Sequence, residues 1–248
     1  MSVVAIYGAC GLIGKTLVNN FMQDGFDVVS CDINIEEGIA ENEKGVRNRK
    51  IKVDLNNTNE VKKSIKIINE ISKSDIKIIN CTYPRGASYG KSFYELELNE
   101  FNETIKMHLG AYFNLMREAV IHSKKENCSV TFVNFASVYG VIPPRFQIYA
   151  DTEMVNPIEY GAVKSSIIHM TKYVAKLMKG YSFKINSISP GGILDGQDDV
   201  FLEKYKKYCV KKGMLESDDI YGTIKFLVSE QSTFMTGQNL VIDDGFSL

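Results

Sequence analysis

The 248-residue chain lacks an apolar run long enough to cross a bilayer, a Cys-x-x-Cys pair, an excess of either charge and any internal repeat, and each absence removes a class of function. A membrane-spanning helix needs about 20 predominantly apolar residues, so no membrane partner is expected. The five cysteines, Cys10, Cys31, Cys81, Cys128 and Cys209, lie far apart, which argues against a metal site of the zinc type and against a disulfide framework, and fits a reducing cytoplasm. The 29 Lys+Arg residues are balanced by 30 Asp+Glu, for a formal net charge of -1, so there is no electrostatic footprint for nucleic acid or an anionic lipid surface. A small-molecule partner is expected instead. The first residues also lack the basic start, long apolar run and small-residue cleavage site of a signal peptide. No low-complexity tract or Pro/Gly-rich linker divides the chain. At 44% hydrophobic residues this length buries one substantial core, so residues 1–248 are expected to form a single domain.

What is present is an alternation. Short β-branched runs recur at residues 3–7, 27–30, 51–53, 76–80, 130–134, 183–187 and 239–242, separated mostly by segments of helical periodicity. This pattern predicts an α/β fold, a doubly wound parallel sheet of seven strands covered by helices. The Lys/Asn-rich segment 42–52 reads as solvated surface. Segments 82–91, 141–156 and 191–200 are expected to be irregular; each follows a predicted strand, on the side where open α/β sheets bind ligands.

Directly after the first strand stands Gly8-Ala9-Cys10-Gly11-Leu12-Ile13-Gly14, opening an amphipathic segment whose apolar face includes Leu17, Val18 and Phe21. Glycines there permit a tight turn, a close approach of a pyrophosphate to the backbone, and close helix–strand packing, leaving phosphates on a helix N-terminus. Glycine in an ordinary turn is the alternative. The second strand ends at Asp32, about the distance at which an acidic residue hydrogen-bonds the adenosine ribose in such folds; a solvated strand-end aspartate is the other reading. Facing a ribose, Asp32 would repel the extra phosphate of NADP, since a unit-charge pair at about 4 Å is worth roughly 4 kcal/mol at intermediate dielectric. No Arg follows it, the next residues being Ile33, Asn34 and Ile35, so NAD is expected over NADP, with Lys15 the one nearby cation. Gly14-Lys15-Thr16 also looks like the end of a nucleotide-triphosphate P-loop, but that loop needs a glycine where Ala9 stands.

Tyr160 and Lys164 form Tyr-x-x-x-Lys, which puts both side chains on one helical face. Tyr208/Lys212 and Tyr221/Lys225 share the spacing, so setting must separate them. Tyr160 follows a strand ending Asn134-Phe135-Ala136-Ser137 and precedes one leading into Pro190-Gly191. Removing hydride from an alcohol requires its hydroxyl proton to leave as well, and a free phenol with a pKa near 10 is a poor base at neutral pH. A nearby ammonium lowers that value, and a shift of about 3 units needs roughly 4 kcal/mol, which one lysine supplies. Ser137 would hold the substrate oxygen as charge develops.

Together these residues resemble the short-chain dehydrogenase/reductase family from the first strand to the last residues. Asp54-Leu55 resembles the family's adenine-side pair, Asn80-Cys81-Thr82 its Asn-Asn-Ala strand end, and Asn186 through Pro190-Gly191-Gly192-Ile193 the segment that closes over a nicotinamide. Thr236-Gly237-Gln238 and Val241 to Gly245 resemble its last strand. The resemblance implies hydride transfer with NAD(P), a seven-stranded Rossmann sheet, and homodimers or homotetramers. It implies a dinucleotide held by Gly8, Cys10, Gly11, Leu12, Ile13, Gly14, Asp32, Asp54, Leu55, Asn80, Cys81, Thr82, Tyr160, Lys164, Pro190, Gly191 and Ile193.

Some positions depart from the family pattern. The glycines read Gly-x-x-Gly-x-x-Gly, the spacing of the extended branch that works on nucleotide sugars, yet the chain lacks that branch's additional C-terminal domain. His108 falls where a helix Asn usually helps a proton relay, which suggests a modified relay or a packed histidine. Asp195 stands where a Thr often contacts the carboxamide. The stretch Pro144 to Tyr149, the run Lys212 to Ile220 and the ending Asp243 to Leu248 resemble flagellin modification protein A-like members, associated with bacterial surface-sugar and nonulosonic acid biosynthesis. Arg145 and Arg85 could then grip a phosphate or carboxylate of a sugar substrate, or be exposed loop arginines. Three functions remain open on sequence: NAD-linked interconversion of a hydroxyl and a carbonyl on a sugar derivative, nucleotide-sugar epimerisation or dehydration with the cofactor recycled, and a non-catalytic dinucleotide sensor. The segment 157–179 carries more apolar residues, such as Ile167, Ile168, Met170, Val174 and Leu177, than one buried stripe requires, which leaves room for a partner helix.

Overall fold

The computed structural model describes residues 3–72 and 75–248. β1 (Val3–Tyr7) is buried at every position and runs parallel to β2 (Asp27–Asp32) on one side and β5 (Asp75–Asn80) on the other. Such a strand, apolar on both faces, must lie mid-sheet with helices above and below. Beyond β2 come β4 (Arg47–Lys52) and β3 (Gly38–Glu41); beyond β5 come β6 (Ser129–Phe135), β7 (Phe183–Pro190) and β8 (Asn239–Ile242). The order is β3-β4-β2-β1-β5-β6-β7-β8, parallel throughout except that β3 pairs antiparallel with β4. The chain reverses its direction of travel across the sheet between β1 and β5. That is the switch point at which the ends of doubly wound sheets open a crevice.

The described residues thus form eight strands rather than the seven expected. The additional strand, β3, is exposed at all four positions and has no buried face to betray it. The segment expected to be solvated surface is also corrected in part: Arg47–Lys52 is a strand whose Asn48 and Ile51 turn inward, and buried Asn48 accepts a hydrogen bond from Ser30 Oγ at 2.8 Å.

One face of the sheet is covered by α2 (Thr58–Ser72), α4 (Gly110–Glu126) and α5 (Ile158–Leu177), which bury Ile65, Leu115 and Ile167 among others. The other is covered by α1 (Leu12–Gln23) and α7 (Tyr221–Val228), with Leu17, Val18, Phe21, Ile224 and Leu227 in the core. Each fully buried side chain of this size contributes about 1.5–3 kcal/mol. A third apolar cluster, around Phe201 and Tyr205 of α6 (Asp199–Lys206) and Phe246, closes the β7–β8 end. α3 (Leu98–Thr104) runs into α4 through a π-helical turn, Ile105–Leu109, which carries His108. Such turns insert a residue into a helix and frequently mark functional sites.

Candidate active site

A cleft of ≈ 970 Å³ opens at the carboxyl ends of the strands, spanning the switch point. At one end the backbone does most of the construction. Gly8 leaves β1 with φ +89°, a left-handed conformation costly for any other residue. Its N–H and that of Ala9 both donate to the Cys31 carbonyl, at 2.9 and 3.3 Å. A Cβ on Gly14 would collide with the Gly8 carbonyl oxygen and approach Ala9 Cα to 2.8 Å, so glycine is what lets α1 lie against the strand end. Gly11 differs: a Cβ there would meet only the Gly8 oxygen, at 3.4 Å, leaving its outer face open to a ligand. Gly11 is also the N-cap of α1, and no side chain caps the helix. The first amide groups of α1 are therefore left to the cleft that Gly11, Leu12, Ile13 and Gly14 line.

Asp32, at the end of β2, accepts from Cys10 N and Asn34 N, both at 2.9 Å, and so ties the glycine loop to the neighbouring strand. It lines the cleft with Cys10, Asp54 and Leu55. Cys81 and Thr82 continue the wall; burial pushes the Cys81 thiol up to about 12, so it stays protonated. Asn80 is buried behind them, where its Oδ1 accepts from Thr82 Oγ1 at 2.8 Å and turns the strand end. It supports the wall without lining it. These residues form an uncapped helix start, an open glycine face and a carboxylate in one trough, and they fit a dinucleotide.

At the other end, Ser137, Tyr160 and Lys164 line one wall. Ser137 follows β6, and its Oγ accepts from Tyr139 N at 3.2 Å, which fixes its direction. Tyr160 and Lys164 stand one turn apart on α5. α5 is pinned to β6 twice: Lys164 Nζ donates to the Phe135 carbonyl at 2.9 Å, and Asn134 Nδ2 to Thr171 Oγ1 at 3.0 Å. Lys164 Nζ lies 5.6 Å from the centre of the Tyr160 ring. Pro190, Gly191 and Ile193 form the wall opposite, where Gly192 N donates to Tyr205 Oη at 2.7 Å.

The comparisons with known proteins agree with this geometry. A family model described as enoyl-(acyl carrier protein) reductase, of the short-chain dehydrogenase type, matches residues 8–247. The chain is 35% identical to post-translational flagellin modification protein A of Campylobacter coli, over 99% of this chain and 98% of that one. Among solved structures it is similar to a short chain dehydrogenase from Leptospira borgpetersenii with bound NAD+, at 31% identity and a TM-score of 0.87, covering 100% of this chain and 93% of that one. It is also similar to 4-hydroxyisoleucine dehydrogenase complexed with NADH, at 27% identity and a TM-score of 0.77, covering 99% and 98%.

The chain belongs to the short-chain dehydrogenase/reductase family.

As such it is an NAD(P)-dependent oxidoreductase acting on CH–OH groups, and its substrates are small molecules. Among the described residues no helix is long and apolar enough to cross a membrane. No cluster of His, Cys, Asp and Glu that could hold a metal occurs among them either.

The electrostatics of this dehydrogenase depart from the expectation that Lys164 simply depresses the Tyr160 phenol. Burial pushes the phenol up, the nearby Ser137 hydroxyl pulling the other way, while burial pushes the Lys164 amine down to about 7. Desolvation penalises both charged forms, and at this depth it outweighs their mutual attraction. His108 is buried too, with its pKa held well below the usual imidazole value by burial and then by Lys164, and its Nε2 has no partner among the described residues. Its ring meets Tyr83 at 5.3 Å and Tyr112 at 5.6 Å, behind the main cleft rather than in it. Arg145, read as either a substrate ligand or a loop arginine, is turned toward the last residues: its guanidinium donates to the main-chain oxygens of Phe246 and Leu248, which satisfies it there. Asp195 lines the cleft, its N–H donating to Gln197 Oε1 at 2.8 Å.

Sequence reasoning missed several residues that shape the site. The Tyr112 hydroxyl lies 3.1–3.2 Å from the carbonyls of Asn80, Thr82 and Phe135, bracing the ends of β5 and β6. Tyr83 packs edge-on to Tyr160 with ring centres 5.3 Å apart. Tyr149 donates to Tyr139 at 2.9 Å and accepts from Asn156 Nδ2 at 3.1 Å. The pair Tyr83 and Tyr89 within the ten residues 82–91 was the available signal.

Proposed function

We propose that this dehydrogenase uses NAD to interconvert a hydroxyl and a carbonyl on a sugar or sugar derivative, with Tyr160 exchanging the proton. The observation that carries the reading is the convergence of Ser137, Tyr160 and Lys164 on one wall of the trough that holds the uncapped α1 terminus. A bound nicotinamide supplies or takes the hydride. The chain's own residues do the rest. Ser137 Oγ holds the substrate oxygen, and Tyr160 gives its phenolic proton to that oxygen in reduction or takes it in oxidation. Burial keeps the phenol protonated, the form that reduction requires. Lys164, whose amine burial holds below the usual lysine value, is the group whose charge, when protonated, makes the reverse transfer easier. Gly8, Cys10, Gly11, Leu12, Ile13 and Gly14 would hold the pyrophosphate, with Asp54 and Leu55 at the adenine and Pro190, Gly191 and Ile193 at the nicotinamide.

Asp32 would favour NAD over NADP by accepting from the adenosine ribose; its place in the cleft lining beside Cys10 and Asp54, with no arginine beside it among the described residues, supports this reading. The flagellin modification relative supports a substrate from bacterial surface-glycan biosynthesis of the nonulosonic acid type. His108 would contribute through Tyr83, as a neutral group behind the reacting tyrosine. Five free cysteines fit the cytoplasm. Residues 1–248 act as one domain, and Phe113, Ile121, Tyr173 and Leu177, exposed on α4 and α5, suit a homodimer or homotetramer.

Parallel titration with NADH and NADPH, following nicotinamide fluorescence, tests the cofactor reading. Preferential NADH binding is expected, with Asp32→Ala narrowing the gap by about tenfold; NADPH preference in the wild type overturns the assignment of Asp32. The glycine spacing favours a second reading, a nucleotide-sugar epimerase or dehydratase that recycles its cofactor. Stoichiometric change at the NADH absorbance band during turnover supports the first, and product without such change the second.

A further inference from the structure

The chain has five arginines, Arg47, Arg49, Arg85, Arg117 and Arg145, and only Arg85 lines the cleft. Its guanidinium carbon lies 4.8 Å from the centre of the Tyr89 ring and 5.5 Å from that of Tyr83. Rings hold a guanidinium by its flat faces, and the N–H donors lie in the plane between those faces. Arg85 is exposed and its donors are unspent: no protein acceptor and no carboxylate engages it among the described residues. The contrast with Arg145 is direct. That guanidinium also lies over two rings, Tyr208 at 4.6 Å and Phe246 at 5.5 Å, but its donors are consumed by the Phe246 and Leu248 carbonyls. Arg117 faces Glu118, and Arg47 faces Glu41.

The direction of Arg85 gives its unspent charge a purpose. The ring that seats it, Tyr83, packs against the Tyr160 ring, so one ring separates the guanidinium from the ring of the proton-exchanging residue. Lys164 is the other cation lining the cleft among the described residues near this end, and its amine is directed to the Phe135 carbonyl. The other residues of segment 82–91 that line the cleft, Thr82, Tyr83, Pro84 and Tyr89, are neutral, as are Tyr149 and Asn156, while Lys91 is paired with Glu100 and Asp195 is a carboxylate lining the same cleft.

We propose that Arg85, seated on Tyr83 and Tyr89, is an oxyanion subsite that selects substrates carrying a carboxylate or a phosphate at a distance from the reacting carbon. The proposal rests on the reading of this cleft as a dehydrogenase active site and narrows its substrate class from sugar derivatives to acidic ones. A planar guanidinium grips either group through two parallel N–H donors. Contact with the two rings favours one placement of the exposed side chain, which lowers the entropy lost when it does so.

The experiment follows the Arg Nε–Hε resonances of 15N-labelled protein during additions of sodium acetate and, separately, sodium phosphate, at ionic strength held constant with sodium chloride. The Arg85 resonance is identified by its loss in Arg85→Lys, and Arg47 serves as the solvent-exposed control. A saturating shift at Arg85 in at least one arm, absent at Arg47, is expected; the arm that saturates at lower concentration tells carboxylate from phosphate. Saturation transfer to the acetate methyl, or broadening of the phosphorus line, should fall about tenfold in Arg85→Gln. Arg85 moving no more than Arg47 in both arms overturns the subsite. NADH fluorescence on the same samples keeps the two readings apart. Protein that binds NADH without an Arg85 response refutes the subsite alone, while protein that binds no dinucleotide refutes the cofactor reading, and the anion titration still decides the subsite because it needs no cofactor.

Discussion

The two ends of the cleft are made of different material. Where the dinucleotide would lie, the wall is main chain: Gly8 and Ala9 on the Cys31 carbonyl, Cys10 on Asp32, the bare start of α1. Where the substrate would lie, the wall is side chain, chiefly Tyr83, Tyr89, Tyr139 and Tyr149 carried on the segments that follow β5 and β6. Backbone geometry is constrained by the strands it leaves and changes only with the fold. Side chains on loops change one at a time. The first end can therefore be shared across a family, while the second distinguishes one member from another.

Replacing Tyr160 by Phe sharpens that contrast most. Turnover should fall about 10²–10⁴-fold, with NADH affinity within about twofold of wild type, because the phenol acts at the substrate end; parallel loss of NADH binding would show that the two ends are not separable. Next in size is a pair of glycine replacements at the main-chain end. Gly14→Ala drives a methyl into Gly8 and Ala9 and should cost about 1–3 kcal/mol of stability along with NADH binding. Gly11→Ala meets so little protein that its melting temperature should stay near wild type while NADH binding weakens about tenfold. Equal effects on stability from both would mean that the open face of Gly11 is packing rather than a phosphate seat.

A further effect is one of pH. Burial lowers the folded-state pKa of Lys164 from 10.5 to about 7, so between these values the unfolded chain holds a proton that the folded chain does not. Stability from this group is therefore least below about pH 7 and rises with pH toward 10.5. His108, also depressed, adds a loss of the same sign as pH falls below 6.5. The melting temperature of the free protein should climb between pH 7 and 9, and Lys164→Met should flatten that climb whatever it does to the absolute value.

The chain's own sequence shows these two ends unequally. The glycine loop, Asp32, Ser137, Tyr160 and Lys164 are legible because their spacing along the chain is set by one strand, one turn or one helical repeat. β3 was not legible, since a strand exposed at every position leaves no alternation to detect, and the charged start of β4 hid the inward Asn48, so that only its end at Ile51 read as strand. The fate of the arginines depends on partners about 100 residues away: Arg145 reads as a ligand until the Phe246 and Leu248 carbonyls are seen to take its donors. The direction of the Lys164 shift was missed for the same reason. Spacing gives its distance from Tyr160 but not how deeply the pair is buried.

The tail that captures Arg145 also reaches the active site. Phe246 stacks on Tyr205 with centres 4.1 Å apart and planes within 4°, and Tyr205 holds Gly192 in the cleft wall through its hydroxyl. The last few residues thus act as a wedge behind a panel. Shortening or loading them would be felt in the wall of Pro190, Gly191 and Ile193 beside the nicotinamide, so an appended tag near Phe246 is a change to the active site as much as a handle for purification.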